Sequence, residues 1–138
     1  MHLKDKRKLS KSDIYYLTHS IYQLLKSEDI RIVISDKVSH EGNLCYGKYK
    51  MVQQETGIFE TGIACTSTQF YIYFNRATVV SPNTDFVAVV IHEILHIFYP
   101  DCREIEIERL GNRFYKSLSN IQYSRILIEL TKKIILTK

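Results

Sequence analysis

An α+β domain is the fold class this sequence predicts, on three observations. The chain has 138 residues, the length of one domain with a single moderate core. Its first half carries β-branched and aromatic runs punctuated by glycine, whereas its second half carries three segments at helical period. Strands followed by helices, rather than strands alternating with helices, give a small and mostly antiparallel sheet with its own helical layer. Neither repeats, low-complexity tracts nor interdomain linkers divide residues 1–138.

Residues 1–9 read as a flexible basic lead. Ser10 or Ser12 caps a first helix, on which Ile14, Leu17, Ile21, Leu24 and Leu25 recur at helical spacing as far as Glu28. Ile30 to Ile34 is a β-branched strand bounded by Asp29 and Ser35-Asp36. Shorter strands follow around Leu44 to Val52 and Thr56 to Ala64, then a clearer one from Thr68 to Asn75. Pro82 breaks the chain, Asn83 or Thr84 caps the next helix, and Asp85 suits its positive N-terminus. That helix runs to Tyr99 and stops at Pro100. A further helix starts near Asp101 or Cys102, with Ile107, Leu110, Gly111, Phe114 and Leu118 on one side. Ser119 and Gln122 have capping-box spacing and open a last helix carrying Ile121, Ile126, Leu127, Leu130 and Ile134.

Net charge is +4, much of it at the two ends: Lys4 to Lys8 with Lys11, and Lys132, Lys133 and Lys138. Such runs are solvated ends unless a binding motif accompanies them, and none does, so nucleic-acid binding is unsupported. Three cysteines without framework spacing, Cys45, Cys65 and Cys102, argue for a reducing compartment. The start is too polar for a secretory signal, and the longest apolar run is too short for a membrane span. A cytoplasmic protein with no membrane partner is the expectation. Oligomeric state leaves no mark in the sequence.

Chemistry enters with His92-Glu93-Ile94-Leu95-His96, inside the apolar run Phe86 to Tyr99. Histidines four apart on a helix lie on one face, so both imidazoles can reach one metal ion at about 2.0–2.1 Å. Glu93 projects about 100° round the helix, where its carboxylate meets a metal-bound water rather than the metal. Two ligands and a general base on one turn is the arrangement of a zinc hydrolase. A helix apolar on nearly every side is buried, and ionisable groups on it are costly unless paired or metal-bound.

A catalytic zinc takes a third protein ligand. The candidates past Pro100 are Asp101, Cys102, Glu104, Glu106 and Glu108. Glu104 stands three residues before Ile107 and seven before Gly111, so helical phase puts it on the apolar face. Glu106 lines up with Arg109, Leu110 and Arg113 on a more mixed stripe. Glu108, four beyond Glu104, can accept the free ring N–H of a ligating histidine and so fix its tautomer. Gly111 lets the two helices approach closely.

His92 to His96 on a buried helix, after the strand Gln69 to Asn75, resembles the zincin metallopeptidases. The downstream Glu104-Ile-Glu-Ile-Glu108-Arg-Leu-Gly111 looks like the gluzincin pattern, and the matched region runs from Thr68 to Leu110. The resemblance implies a minimal single-domain zinc endopeptidase with a protein or peptide substrate. In it His92, His96 and Glu104 hold Zn2+, Glu108 supports a ligand and Glu93 is the base. It also implies that strand Gln69 to Asn75 is an edge strand along which substrate lies extended, beside Tyr71 and Tyr73. Tyr71, Tyr73, Tyr99 and His40 are equal candidates for oxyanion donor. Two departures stand out. Only seven residues separate His96 from Glu104, and Tyr99 and Cys102 stand where the metzincin pattern needs Gly and His. The alternative function is a zinc-binding regulatory or partner-recognition module that cleaves nothing.

Overall fold

The computed structural model describes residues 3, 8–35, 39–40, 43–44, 47–58, 64–75 and 85–136. The elements are α1 (Lys11–Lys26), β1 (Ile30–Ser35), β2 (Ser39–His40), β3 (Asn43–Leu44), β4 (Gly47–Ile58) and β5 (Ala64–Asn75), then α2 (Phe86–Phe98), α3 (Glu104–Ser117), α4 (Asn120–Lys133) and β6 (Ile134–Leu136). The mixture of helix and strand is as the sequence predicts.

The sheet differs from expectation. Its order is β4-β5-β1-β6, with β2 and β3 forming a separate two-stranded ladder. β4 and β5 pair antiparallel as a long hairpin, with a register shift between Glu55 and Gly57. The pairs β1–β5 and β1–β6 are both parallel, so the sheet is mixed rather than mostly antiparallel. Helix direction supplies the reason. β1 follows α1, β6 follows α4, and those two helices pack side by side. The Lys133 ammonium donates to the carbonyl of Ser27, which brings the two helix C-termini together. Strands leaving adjacent helix ends then run the same way. Ile134, expected on the last helix, is instead the first residue of β6.

One further expectation is corrected. β5, expected as an edge strand, lies between β4 and β1, with main-chain partners on both sides. Within residues 1–9, Leu3 and Leu9 are buried in the core. Of the two expected caps of α1, Ser10 is the one used: its hydroxyl accepts from Asp13 N–H, and the Asp13 carboxylate accepts from Ser10 N–H.

One core joins both layers. Ile30, Ile32 and Ile34 of β1 alternate onto the same face as Ile72 and Phe74 of β5. Against them pack Leu17, Ile21 and Leu25 of α1 and Val90, Ile91 and Ile94 of α2. The rings of Phe74 and Phe86 meet edge-on, 4.7 Å between centroids, and pin the start of α2 to the sheet. Among the described residues no helix is long and apolar enough to cross a membrane.

Candidate metal centre

Helix α2 starts at Asp85, whose Oδ1 accepts from Val87 N–H at 2.8 Å. Asn83 and Thr84, the expected caps, lie outside the described residues. Val87, Val90, Ile91, Ile94 and Leu95 are buried, as an apolar helix requires, but His92 and His96 share a half-buried stripe. Their side chains are 25% and 16% exposed, enough for a ligand to reach them.

The chain turns back directly after α2. Tyr99 N–H donates to Leu95 O, Cys102 N–H donates to Tyr99 O, and α3 starts at Glu104. This short return brings Glu104 onto the histidine stripe. Its Oε1 lies 2.6 Å from His92 Nε2 and its Oε2 lies 2.7 Å from His96 Nε2. The two Nε2 atoms are 3.2 Å apart. All three residues offer ligand atoms within 4.8 Å of one another.

Two imidazole nitrogens and a carboxylate oxygen are the donor types zinc takes in hydrolases. Tetrahedral Zn–N bonds would hold their nitrogens about 3.3 Å apart, close to the spacing seen here. The carboxylate stands at hydrogen-bonding range, slightly inside that figure, on a side chain exposed enough to adjust. The donor set fits the metal.

Glu93 is turned away from this stripe and is only 8% exposed. It has no hydrogen-bond partner among the described residues, although none of their buried polar side-chain atoms is both wholly enclosed and unpartnered. Its oxygens therefore keep an opening to solvent. Burial, and then the negative charge of Glu104, push its carboxyl up to about 7. On His96, burial lowers the ring's proton affinity and His92 adds to that, while Glu104 opposes both.

The remaining candidates fall elsewhere. Glu106 accepts from Arg103 N–H at 3.0 Å and so caps α3. Asp101 is exposed, and Cys102 is a half-buried free thiol outside the ligand group. The expectation for Glu108 is not met. One turn beyond Glu104 it is exposed, and no bond joins it to either histidine among the described residues. Tyr71 and Tyr73 stack on each other at 6.2 Å, and alternation along β5 sends them to the face opposite Ile72 and Phe74. That is the face away from the Phe74–Phe86 contact with α2. Tyr99 lines a hollow with Tyr16, Ser20 and Phe98, and burial raises its phenol. The side chain of His40 lies outside the described residues.

Sequence reasoning missed one cluster. The hydroxyls of Tyr115 on α3 and Tyr123 on α4 both donate to the Asp85 carboxylate. Asp85 thus ties together the starts of α2 and α4 and the C-terminal half of α3. The only sequence signal was an Asp at a helix start, and nothing there identifies its two distant tyrosines.

Comparison of the chain with protein-family models, with curated proteins and with solved structures yields no match.

Proposed function

We propose that the protein is a zinc-dependent peptidase acting on a protein or peptide substrate. The observation that carries this reading is the convergence of Glu104 on His92 and His96, beside a buried Glu93. His92, His96 and Glu104 would hold the ion. Zinc, when bound, supplies Lewis acidity toward a carbonyl and makes water acidic near neutral pH. Glu93 would take the proton of the attacking water and return it to the leaving amine. A carboxyl poised near the working pH suits both transfers. Among the described residues β4 has a main-chain ladder with β5 alone, and it packs against α2. An extended substrate would add to the other edge of β4, where main-chain hydrogen bonds give affinity without demanding a sequence.

The test is hydrolysis of fluorescein-labelled casein by zinc-loaded protein purified without a tag. Glu93→Gln should keep zinc and fold while losing at least about a hundredfold in rate. Undiminished turnover in that variant, or no turnover in the wild type at full zinc occupancy, rejects the reading.

A further inference from the structure

Away from the metal centre, a trough runs between α1 and α4. Two adjoining hollows of about 310 and 160 Å³ share Tyr22 and Arg125 as walls. Along α1, Lys11, Tyr15, His19, Tyr22 and Lys26 fall at spacings of three and four and form one stripe. Tyr15 is 69% exposed, and its ring stacks on His19 at 6.1 Å with planes 7° apart. Along α4, Ile121, Arg125 and Ile128 form the facing stripe, its two isoleucines 67% and 52% exposed.

Charge is what is left unanswered in this trough. Among the described residues no carboxylate pairs with Lys11, Lys26 or Arg125. The one acid in the walls, Glu129, is taken by Lys132 at 3.3 Å. The stripe on α1 is therefore cationic at both ends and aromatic between. From Lys11 to Lys26 it spans about 22 Å at 1.5 Å per residue. That length matches about seven residues of extended chain.

We infer that the trough docks a peptide segment of about that length, with acidic residues at both ends and apolar residues between. The end carboxylates meet Lys11 at one end and Lys26 with Arg125 at the other. The middle lies on Tyr15, Tyr22 and the exposed isoleucines, which lose apolar surface to water on their own. A nucleic-acid strand fits less well, because a phosphate track would run past Ile121, Ile128 and the carboxylate of Glu129. Docking needs neither metal nor cleavage, so it stands or falls separately from the peptidase reading.

The test is fluorescence anisotropy with the full chain. The probe is a fluorescein-labelled heptapeptide with two acidic residues at each end and three apolar residues between; labelled oligouridylate is the comparison. Saturable peptide binding should weaken as salt rises. It should fall about tenfold or more in Lys26→Glu/Arg125→Glu and stay unchanged in Lys116→Glu, on another helix. Amide-shift mapping on the wild-type protein, which needs no variant, should move residues 11–26 and 121–129. No saturation at millimolar peptide, unchanged binding in the double reversal, or shifts confined elsewhere overturns the inference. Tighter binding of oligouridylate overturns it in favour of a nucleic-acid surface.

Discussion

His92 Nε2 lies 3.2 Å from His96 Nε2, and the Glu104 carboxylate spans the pair. Two imidazolium rings at that distance would repel strongly, so the arrangement suits rings that are not both protonated. Burial and His92 both lower the proton affinity of His96, which keeps its lone pair available. A carboxylate that can hold a proton-bearing pair can equally complete the charge around a divalent cation.

The ligand assignment gives a ranked prediction. One zinc per chain should bind, and His92→Ala/His96→Ala should abolish it. Glu104→Ala should weaken affinity by more than the roughly 10–100-fold typical of losing a residue that only supports a ligand. Glu106→Ala should leave affinity intact and cost about 1 kcal/mol of stability, because it removes the carboxylate that caps α3 at Arg103 N–H. Glu108→Ala should change neither. Competitive chelator titration with thermal melts gives the order; a Glu106 variant that loses zinc breaks it.

Glu93 predicts an unusual pH dependence for the metal-free protein. Its folded carboxyl is raised from 4.5 to about 7, so folding favours its protonated form. The resulting penalty is absent below the unfolded value and complete above the folded one. Stability should fall between about pH 4.5 and 7 by something on the order of 3 kcal/mol. His96, lowered on folding, works in the opposite sense and loses stability as pH falls. Because His96 is common to both proteins, wild type minus Glu93→Gln isolates the carboxyl. Equal slopes in urea melts from pH 5 to 8 would show that Glu93 is not desolvated.

Local periodicity made the helices legible. Ser10, Ser119 and the apolar recurrence after each placed α1 and α4, and helical phase together with the gluzincin-like spacing favoured Glu104 over Glu106 and Glu108. Strand partnership was not legible. Ile30 to Ile34 and Gln69 to Asn75 look the same whether they pair parallel or antiparallel, and the direction follows from where α1 and α4 end. Consequently β5 was read as an edge, and Tyr71 and Tyr73 as neighbours of the cleft. Long-range polar partners were equally invisible. Nothing near Asp85 in sequence announces Tyr115 or Tyr123.

Gly111 tests how tightly α2 and α3 are packed. It lies in the buried stripe of α3, where close helix approach was expected. A β-carbon there would meet Leu95 Cδ1 at 3.6 Å, an ordinary van der Waals distance. The space for a methyl group exists, and alanine is the better helix former. Gly111→Ala should therefore raise stability by about 0.5–1 kcal/mol with zinc affinity unchanged. A drop in melting temperature would mean that the helices sit closer than that contact allows.

The Asp85 cluster should set how firmly α2, with His92 and His96, and α3, with Glu104, are held together. Its carboxylate caps α2 through Val87 N–H and accepts the hydroxyls of Tyr115 and Tyr123. Burial first, and then the hydrogen bond to Asp85 and its charge, raise both phenols, so each stays a donor throughout the neutral range. Removing one phenol leaves the others in place, so Tyr115→Phe and Tyr123→Phe should each cost about 1–2 kcal/mol. Asp85→Ala removes the cap and strands both hydroxyls, and should cost about 2–4 kcal/mol. Asp85→Asn keeps the cap but loses the charge, and should fall between the two. Because α2 carries His92 and His96 and α3 carries Glu104, Asp85→Ala should also weaken zinc binding, which Gly111→Ala should not. Unchanged affinity in Asp85→Ala would show that the Pro100 turn alone aligns the ligands.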